Sequence, residues 1–273
     1  MKKIFILSTC SILFSSCNKE KFFDGPDFFE DDFESYSSVD ELTSNDDINW
    51  SYTQLTSELN KITLDTNNVH SGNKSLKFVA ARSENEFVSK CSIAKQNMAF
   101  WDGETVRLTA WYYIEGTNTL DWLFLFDLEE QTAIGAGPGM RLALVNNQLA
   151  VEYKFYEPTL FQSLGQEIDL PRNEWVELIW EVKLSQKNNG AAKVWQNGQL
   201  IIDSHNITTL PKDILYSLQG TKGMYSSVEI GITANSTDND LTIWVDDVVF
   251  EKVDYKDFQQ LSKDQTTSRQ VIN

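Results

Sequence analysis

Five cationic and phenolic side chains fall on two stretches of the sequence and suit proton transfer beside a negative charge. The stretch 140–155 is predicted to be a β-hairpin across Asn146-Asn147, and the other stretch precedes a strand predicted from Ser227. Lysine and arginine neutralise a substrate carboxylate, and tyrosine acts as acid or base when a neighbouring cation lowers its pKa. The five residues are Arg141, Tyr153, Lys154, Lys222 and Tyr225.

We predict that Lys154, Tyr225 and Arg141 carry the chemistry and that Tyr153 and Lys222 contact the bound molecule. The competing interpretation is that Arg141 and Lys154 are surface charges at sheet edges and that Tyr153 belongs to the core. Both interpretations remain open on the sequence alone.

Tryptophans provide a second kind of candidate contact, because sugar rings pack against aromatic faces. Every second residue from Val176 to Leu184 is apolar, which predicts a strand with Trp180 in the core. Trp175 and Trp195 fall out of phase with the apolar rows of their strands. We therefore predict that both face outward and bind substrate; the alternative is that the other sheet covers them.

Acidic residues alternate at Asp127 and Glu129, which places both carboxylates on one face of a predicted strand. Retaining glycosidases use two carboxylates about 5–5.5 Å apart, so the pair raises hydrolysis as an alternative. The surrounding residues do not reproduce the Glu-x-Asp-x-x-Glu pattern of such enzymes, and carboxylate pairs arise by chance in so acidic a chain. These two points argue against a hydrolase.

The elements that must position these side chains are predicted to be strands. Alternating segments recur between turn signals, and Asn197-Gly198 is the strongest hairpin signal because both central residues must accept a positive φ. A turn is predicted at 135–139, and both histidines, His70 and His205, are predicted to be solvated loop residues. No long amphipathic helix is present in the pattern. The sequence therefore predicts an all-β fold, a two-sheet antiparallel jelly-roll β-sandwich.

Charge and the N-terminus limit the partners. The 273-residue chain has a formal net charge of −17, which disfavours nucleic acid and anionic membranes. Lys2-Lys3 and the apolar stretch 4–14 predict a signal peptide too short to span a bilayer. Ser15-Ser16-Cys17 resembles a bacterial lipobox, so we predict lipidation of Cys17. The alternative is an ordinary signal peptide cleaved near Ser16.

These features predict an exported protein, lipid-anchored at the outer membrane or cell surface, that contacts the membrane through the lipid only. We divide the chain into a signal peptide (1–16), the lipidated cysteine with an acidic linker (17–32), a jelly-roll domain (33–253) and a polar tail (254–273). Cys91 has no cysteine partner in the mature chain, so no disulfide framework is expected.

Four motifs together resemble the concanavalin A-like jelly rolls of the polysaccharide lyase group that includes heparin lyase I and glucuronan lyase. They are the segments 32–34, 70–78, 194–198 and 244–248, and the third of these follows the strand that contains Trp175. The resemblance implies a secreted or surface-attached protein that handles polysaccharide. It also implies a bound Ca²⁺ that ties the first strand to the last, for which we predict Glu34, Asp246 and Asp247 as ligands; the alternative is that all three face solvent.

In relatives such as heparin lyase I a histidine stands on a concave strand. The corresponding segment 124–129 contains none, so the resemblance does not carry a histidine mechanism to this chain. The expected function is binding of a polysaccharide, with possible β-elimination. The alternative is a non-catalytic carbohydrate-binding module or a glycan-binding subunit of an uptake complex.

Overall fold

The computed structural model describes residues 25–45, 48–84, 87–132, 135–155, 160–162, 168–211 and 223–254. These residues form strands and one short 3-10 helix, η1 (Val39–Thr43). The strands are β1 (Phe28–Asp31), β2 (Tyr52–Leu55), β3 (Lys61–Asp65), β4 (Ser75–Ala80), β5 (Cys91–Lys95), β6 (Phe100–Trp101), β7 (Thr105–Ile114), β8 (Trp122–Thr132), β9 (Gly135–Val145), β10 (Gln148–Tyr153), β11 (Leu160–Gln162), β12 (Trp175–Lys183), β13 (Gly190–Gln196), β14 (Gln199–Ile207), β15 (Met224–Tyr225), β16 (Ser227–Ala234) and β17 (Leu241–Val253).

Two large antiparallel sheets dominate the described part of the chain. The eight-stranded sheet has the order β14-β13-β12-β7-β17-β4-β3, with β1 also paired to β17. The seven-stranded sheet has the order β11-β10-β9-β8-β16-β5-β2, and β15 pairs with β6 separately. Non-consecutive neighbours such as β7 and β17 show that strands alternate between the sheets, as in a jelly roll. The predicted all-β sandwich is confirmed.

The core lies between the two sheets because each strand turns its apolar row inward. Tyr112 on β7 reaches across it, and its hydroxyl donates a hydrogen bond to the carbonyl oxygen of Leu125 on β8 at 2.9 Å. Trp180 is fully buried, and its ring lies 6.5 Å from that of Phe126 on the other sheet. The prediction that Trp180 belongs to the core is therefore confirmed.

The fold begins earlier than residue 33, because β1 pairs with β17 over Phe28–Asp31. Asp31 fixes this start: its carboxylate accepts hydrogen bonds from the backbone N–H of Phe33, the hydroxyl of Tyr36 and the indole N–H of Trp50. A segment interpreted from its acidity as linker thus supplies a strand. The acidic residue is used as a buried acceptor and not as a solvated charge.

Residues 135–139, predicted to be a turn, lie inside β9 instead. Gly139 pairs with Glu129, and a Cβ atom at Gly139 would stand 2.0 Å from the carbonyl oxygen of Leu128. Glycine here permits close approach of two strands, a role that its sequence neighbours do not reveal. Within the described residues no helix is long and apolar enough to cross a bilayer.

Candidate functional site

The outer face of the seven-stranded sheet, which points away from the core, carries a row of six residues of which all but one alanine are ionisable. Each of six neighbouring strands contributes one residue, and each residue is the direct ladder partner of the next. We call these six residues the polar row. Its members, in order across the sheet, are Tyr52, Ala94, Glu229, Asp127, Arg141 and Glu152.

Asp127 is the centre of the polar row and is only 1% exposed. Its Oδ1 atom accepts hydrogen bonds from Arg141 Nε at 2.7 Å and Lys154 Nζ at 3.1 Å. Arg141 also donates through Nη1 to Glu152 at 2.9 Å, and Lys154 also contacts the carboxylate of Glu129. The predicted pairing of Arg141 and Lys154 on one face is therefore present, and each cation lies between two carboxylates.

Lys154 and Arg141 stay reachable from outside, with side chains 16% and 13% exposed. The guanidinium carbon of Arg141 also lies 3.9 Å from the centre of the Phe124 ring, a cation–π contact that restrains it. Lys154 follows β10, where its backbone N–H donates to the carbonyl oxygen of Gly139 at 3.1 Å. The close strand approach at Gly139 thus helps to place this lysine.

The two central carboxyl groups have opposite electrostatic surroundings. Burial would raise the pKa of Asp127, but the positive charges of Lys154 and Arg141 outweigh it and hold the pKa well below its usual range. Burial, together with the charge of Asp127, raises the pKa of Glu229 to about 6. Glu229 is 2% exposed and accepts a hydrogen bond from the Ser92 hydroxyl.

Tyr52 stands at the end of the polar row and was not predicted from the sequence. Its side chain is half-buried on β2, and burial together with the charges of Glu229 and Asp127 raises its pKa to about 12. The phenol therefore holds its proton at ordinary pH. Tyr52 lies in an edge strand of four residues, and so short a segment shows no clear alternation in the sequence.

The predicted tyrosines lie elsewhere. Tyr225 is fully buried in the core, and its hydroxyl donates to the carbonyl oxygen of Thr209 at 2.7 Å. Burial, followed by the charge of Glu130, raises its pKa well above the usual value. Tyr153 is also fully buried and faces the core side of β10, as the competing interpretation held. The structure therefore corrects the catalytic assignment of Tyr225 and the binding assignment of Tyr153, and Lys222 lies outside the described residues.

The two predicted sugar-binding tryptophans are on the other sheet. Trp175 lies on the outer face of the eight-stranded sheet beside Tyr113, with ring centres 5.8 Å apart. Trp195 pairs with Ile179 of β12 and so keeps its predicted outward phase, but it is only 2% exposed. Neither side chain lies near Arg141 and Lys154, which are on the other sheet.

The carboxylates predicted to bind calcium meet hydrogen-bond donors of the turn 70–74. Glu34 Oε1 accepts two backbone N–H groups of this turn at 2.6 and 2.7 Å, and Asp246 Oδ2 accepts two more at 3.0 and 3.3 Å. Asp247 contacts the Ser71 hydroxyl and the ring of His70. Among the described residues no three acidic, histidine or cysteine side chains are grouped to hold a metal ion. Calcium binding by Glu34, Asp246 and Asp247 stays a prediction.

His70 lies in the predicted turn but is partly buried, whereas His205 is exposed as predicted but lies in a strand and not in a loop. His70 Nδ1 lies 2.6 Å from Asp247 Oδ2, and the His70 ring stacks on Trp111 with centres 3.7 Å apart. His205 lies within β14, and its Nε2 atom is 2.6 Å from Asp203 Oδ1. Cys17 lies outside the described residues, and Cys91 is buried as a free thiol.

The sequence profile of a family described as "Polysaccharide lyase" matches residues 43–249. This match covers three quarters of the chain and includes the whole polar row. The chain belongs to the polysaccharide lyase family. None of the curated proteins matches the sequence.

Solved structures share the sandwich of this chain at low sequence identity. The endo-β-1,4-glucuronan lyase of the fungus Trichoderma reesei superposes with a TM-score of 0.62 and 14% identity, covering 84% of this chain and 96% of that one. The cellulose-induced protein Cip1 gives a TM-score of 0.56 and 18% identity, covering 81% and 96%. An alginate lyase variant, Aly36B with alginate trisaccharide, gives 0.54 and 9%, covering 85% and 100%. At these identities the likeness concerns the fold alone.

Proposed function

We propose that this polysaccharide lyase cleaves a uronate-containing polysaccharide by β-elimination at the polar row. The observation that carries the proposal is the arrangement of two reachable cations, Arg141 and Lys154, over buried Asp127 beside a phenol and a high-pKa carboxyl group. Two similar solved structures are named as a lyase of glucuronan and a lyase of alginate, and both polymers consist of uronic acids.

Arg141 and Lys154 are proposed to bind the uronate carboxylate. Removal of the proton at C5 places negative charge on that carboxylate, so cations fixed in advance stabilise the charge as it develops. Both cations are restrained by Asp127, Glu152 and Glu129, which limits the reorganisation required when substrate binds. The same carboxylates keep the local charge balanced in a strongly acidic protein.

The proton transfers are proposed to use Glu229 and Tyr52. Ionised Glu229 accepts the C5 proton, the electron pair of the C5–H bond forms the C4–C5 double bond, and the bond from C4 to the glycosidic oxygen breaks. Tyr52 donates its proton to the departing oxygen and recovers a proton from solvent. The pKa values favour this division, since Glu229 ionises near neutral pH whereas Tyr52 stays protonated.

The deciding experiment incubates the full chain with glucuronan, alginate and uncharged polysaccharides. We expect near-ultraviolet absorbance from an unsaturated uronate with at least one uronate polymer, and products one water lighter than those of hydrolysis. Saturated products would indicate a hydrolase. No cleavage of any uronate polymer, together with retained binding, would leave the glycan-binding alternative in place of the lyase.

The variant Lys154→Ala tests the site separately from the class. We expect it to lower the cleavage rate at least about a hundredfold, because one of the two cations that stabilise the developing charge is removed. Lys61→Ala is a matched control, since Lys61 lies on β3 of the opposite sheet and is exposed. Unchanged cleavage by Lys154→Ala would reject the polar row as the reaction site while sparing the lyase class.

We propose in addition that the chain is exported and lipid-anchored through Cys17 at the outer membrane or cell surface. The support is the basic start, the short apolar stretch and the Ser15-Ser16-Cys17 sequence. Cys17→Ser should abolish incorporation of labelled fatty acid and release the protein from the membrane fraction in a bacterial host. Fatty-acid labelling that persists in Cys17→Ser would reject this anchor.

A further inference from the structure

A second cluster of aromatic side chains lies on the outer face of the eight-stranded sheet, away from the polar row. Across β12, β7 and β17, Trp175, Tyr113 and Trp244 are direct ladder partners in one line. Trp111 lies one step further along β7, and the ring of His70 stacks on it. We call these five residues the aromatic surface.

The aromatic surface occupies only one end of its sheet face. At the other end of the same strands the outward residues are charged, and Arg107 lies between Glu181 and Glu251 at 2.7 and 3.0 Å. Charged residues are the usual composition of an outward face of an antiparallel sheet. Tryptophan and tyrosine therefore take the place of charged residues at one end of this face only. Trp111, Tyr113 and Trp175 all remain partly exposed.

The turn 70–74 is built so that His70 is held against this surface. Its backbone N–H groups donate to Asp246 on one side and to Glu34 on the other, and Lys74 Nζ donates to the backbone carbonyl oxygens of Glu34 and Tyr36. Gly72 has a φ of +63°, and a Cβ atom there would stand 2.5 Å from Glu34 Oε1. The edge of the aromatic surface is thus restrained before any ligand arrives.

We propose that the aromatic surface is a second glycan-binding site that takes uncharged pyranose chains and is separate from the reaction site. Partly exposed aromatic rings beside hydrogen-bonding groups are the arrangement that packs against sugar rings. Here Ser71, Asp247 and Lys77 provide those groups: Ser71 donates to Asp247, and Lys77 lies 4.7 Å from the Trp244 ring centre.

The charge of the surroundings selects an uncharged glycan. Glu177 is the ladder partner of Trp111, and Asp247 lies beside His70, so carboxylates border the aromatic surface. With a net charge of −17 on the whole chain, a uronate polymer meets like charge here without the paired cations of the polar row. The site would hold the enzyme on neutral polysaccharide that accompanies its substrate. It does not depend on the proposed cleavage reaction.

Affinity electrophoresis of the full chain in gels that contain hydroxyethylcellulose, xylan, alginate or glucuronan tests this site. We expect retardation by at least one neutral glycan, and roughly tenfold weaker retardation for Trp175→Ala and for Tyr113→Ala. Phe87→Ala is the matched control, because it removes a ring that is 82% exposed but lies outside the aromatic surface. All three variants should cleave short uronate oligosaccharides at the rate of the unaltered chain.

Several results would overturn the proposal. They are no retardation of the unaltered chain by either neutral glycan, full retardation of both folded variants, or an equal loss with Phe87→Ala. If Trp175→Ala does not fold, the test uses the retardation of Tyr113→Ala and the tryptophan fluorescence of the unaltered chain. Cello- and xylo-oligosaccharides should change that fluorescence, and its insensitivity to both would count against the site. Loss of oligosaccharide cleavage in a folded variant would contradict its separation from the reaction site.

Discussion

Glu229 on β16 lies directly across the ladder from Asp127 on β8, and the pKa values of the two carboxyl groups shift in opposite directions. The difference arises because both nearby hydrogen-bonded cations, Arg141 and Lys154, donate to Asp127. The Glu229 carboxylate accepts a hydrogen bond from the Ser92 hydroxyl, while burial and the charge of Asp127 oppose its ionisation. One carboxylate thereby anchors the cations while the other is available for proton transfer.

The first prediction concerns the pH dependence that Glu229 creates. As a base it must be ionised, so the cleavage rate should rise with pH through about 6, the raised pKa of Glu229. Glu229→Gln should reduce kcat at least about a hundredfold and remove this rise. The measurement is the initial rate of absorbance increase between pH 4 and pH 9, on the order of one point per half unit of pH. A rise that persists in Glu229→Gln would assign the base to another group.

The same carboxyl group affects stability with the opposite sign. Its pKa in the folded protein is raised from the ordinary 4.5 to about 6, so its contribution to stability is present below 4.5 and is lost as pH rises through 6. Above that range Glu229→Gln should therefore increase the free energy of unfolding, by on the order of 1–2 kcal/mol. Urea unfolding at pH 5 and pH 8 measures it. A variant that is less stable at pH 8 would contradict this account of the burial.

A second prediction separates catalysis from stability with two similar arginines. Arg141 lies between Asp127 and Glu152, and Arg107 lies between Glu181 and Glu251 on the opposite sheet. Replacing either by alanine leaves a buried carboxylate without its cation, which should cost about 3 kcal/mol of stability.

Only Arg141→Ala should also abolish cleavage, because Arg107 lies on the far face of the sandwich. Thermal unfolding and initial rates measured on both variants provide the comparison. Equal loss of activity in folded Arg107→Ala and Arg141→Ala would mean that activity follows stability and that Arg141 has no specific role.

The third prediction distinguishes the tyrosine found in the structure from the one predicted from the sequence. Tyr52→Phe removes the proposed acid and should lower kcat about 10²–10⁴-fold with a smaller effect on KM. Tyr225→Phe removes a buried hydrogen bond to Thr209 and should cost about 1 kcal/mol of stability with kcat unchanged. The reverse outcome, a loss of kcat only in Tyr225→Phe, would restore the sequence-based assignment.

These tyrosines show what alternation in a sequence can and cannot predict. The alternation predicts strands over 75–80 and 105–114, and β4 and β7 have these bounds, because a period of two is a local property of the chain. Tyr225 instead belongs to a two-residue strand whose position depends on distant partners such as Thr209. The side of the sheet that faces the core is a property of the tertiary fold.

The aromatic residues show a second limit. Trp175 and Trp195 both keep their predicted outward phase, yet Trp175 is partly exposed whereas Trp195 is only 2% exposed. Alternation predicts the face to which a side chain points, but it does not predict whether other parts of the fold cover that side chain. The predicted cations Arg141 and Lys154 were found together because one hairpin carries both. For their partner Asp127, the sequence indicates only a carboxylate of a hydrolase pair.

The last prediction compares two glycines that both have positive φ. Gly72 has a φ of +63° with Glu34 Oε1 2.5 Å from the position of a Cβ atom, whereas Gly103 has a φ of +94° with nothing within 4 Å. Gly103→Ala should cost about 1–2 kcal/mol through backbone strain alone. Gly72→Ala should cost more, because it also displaces Glu34 from the backbone N–H groups of Asn73 and Lys74.

Thermal unfolding of the two variants measures this difference, and equal losses would show that Glu34 moves aside without effect. The same two variants also distinguish the aromatic surface from the polar row. Displacing the turn moves His70 from Trp111, so folded Gly72→Ala should weaken retardation by neutral glycans while cleavage of uronate oligosaccharides continues. Gly103→Ala should change neither property, because its side chain would point into open space.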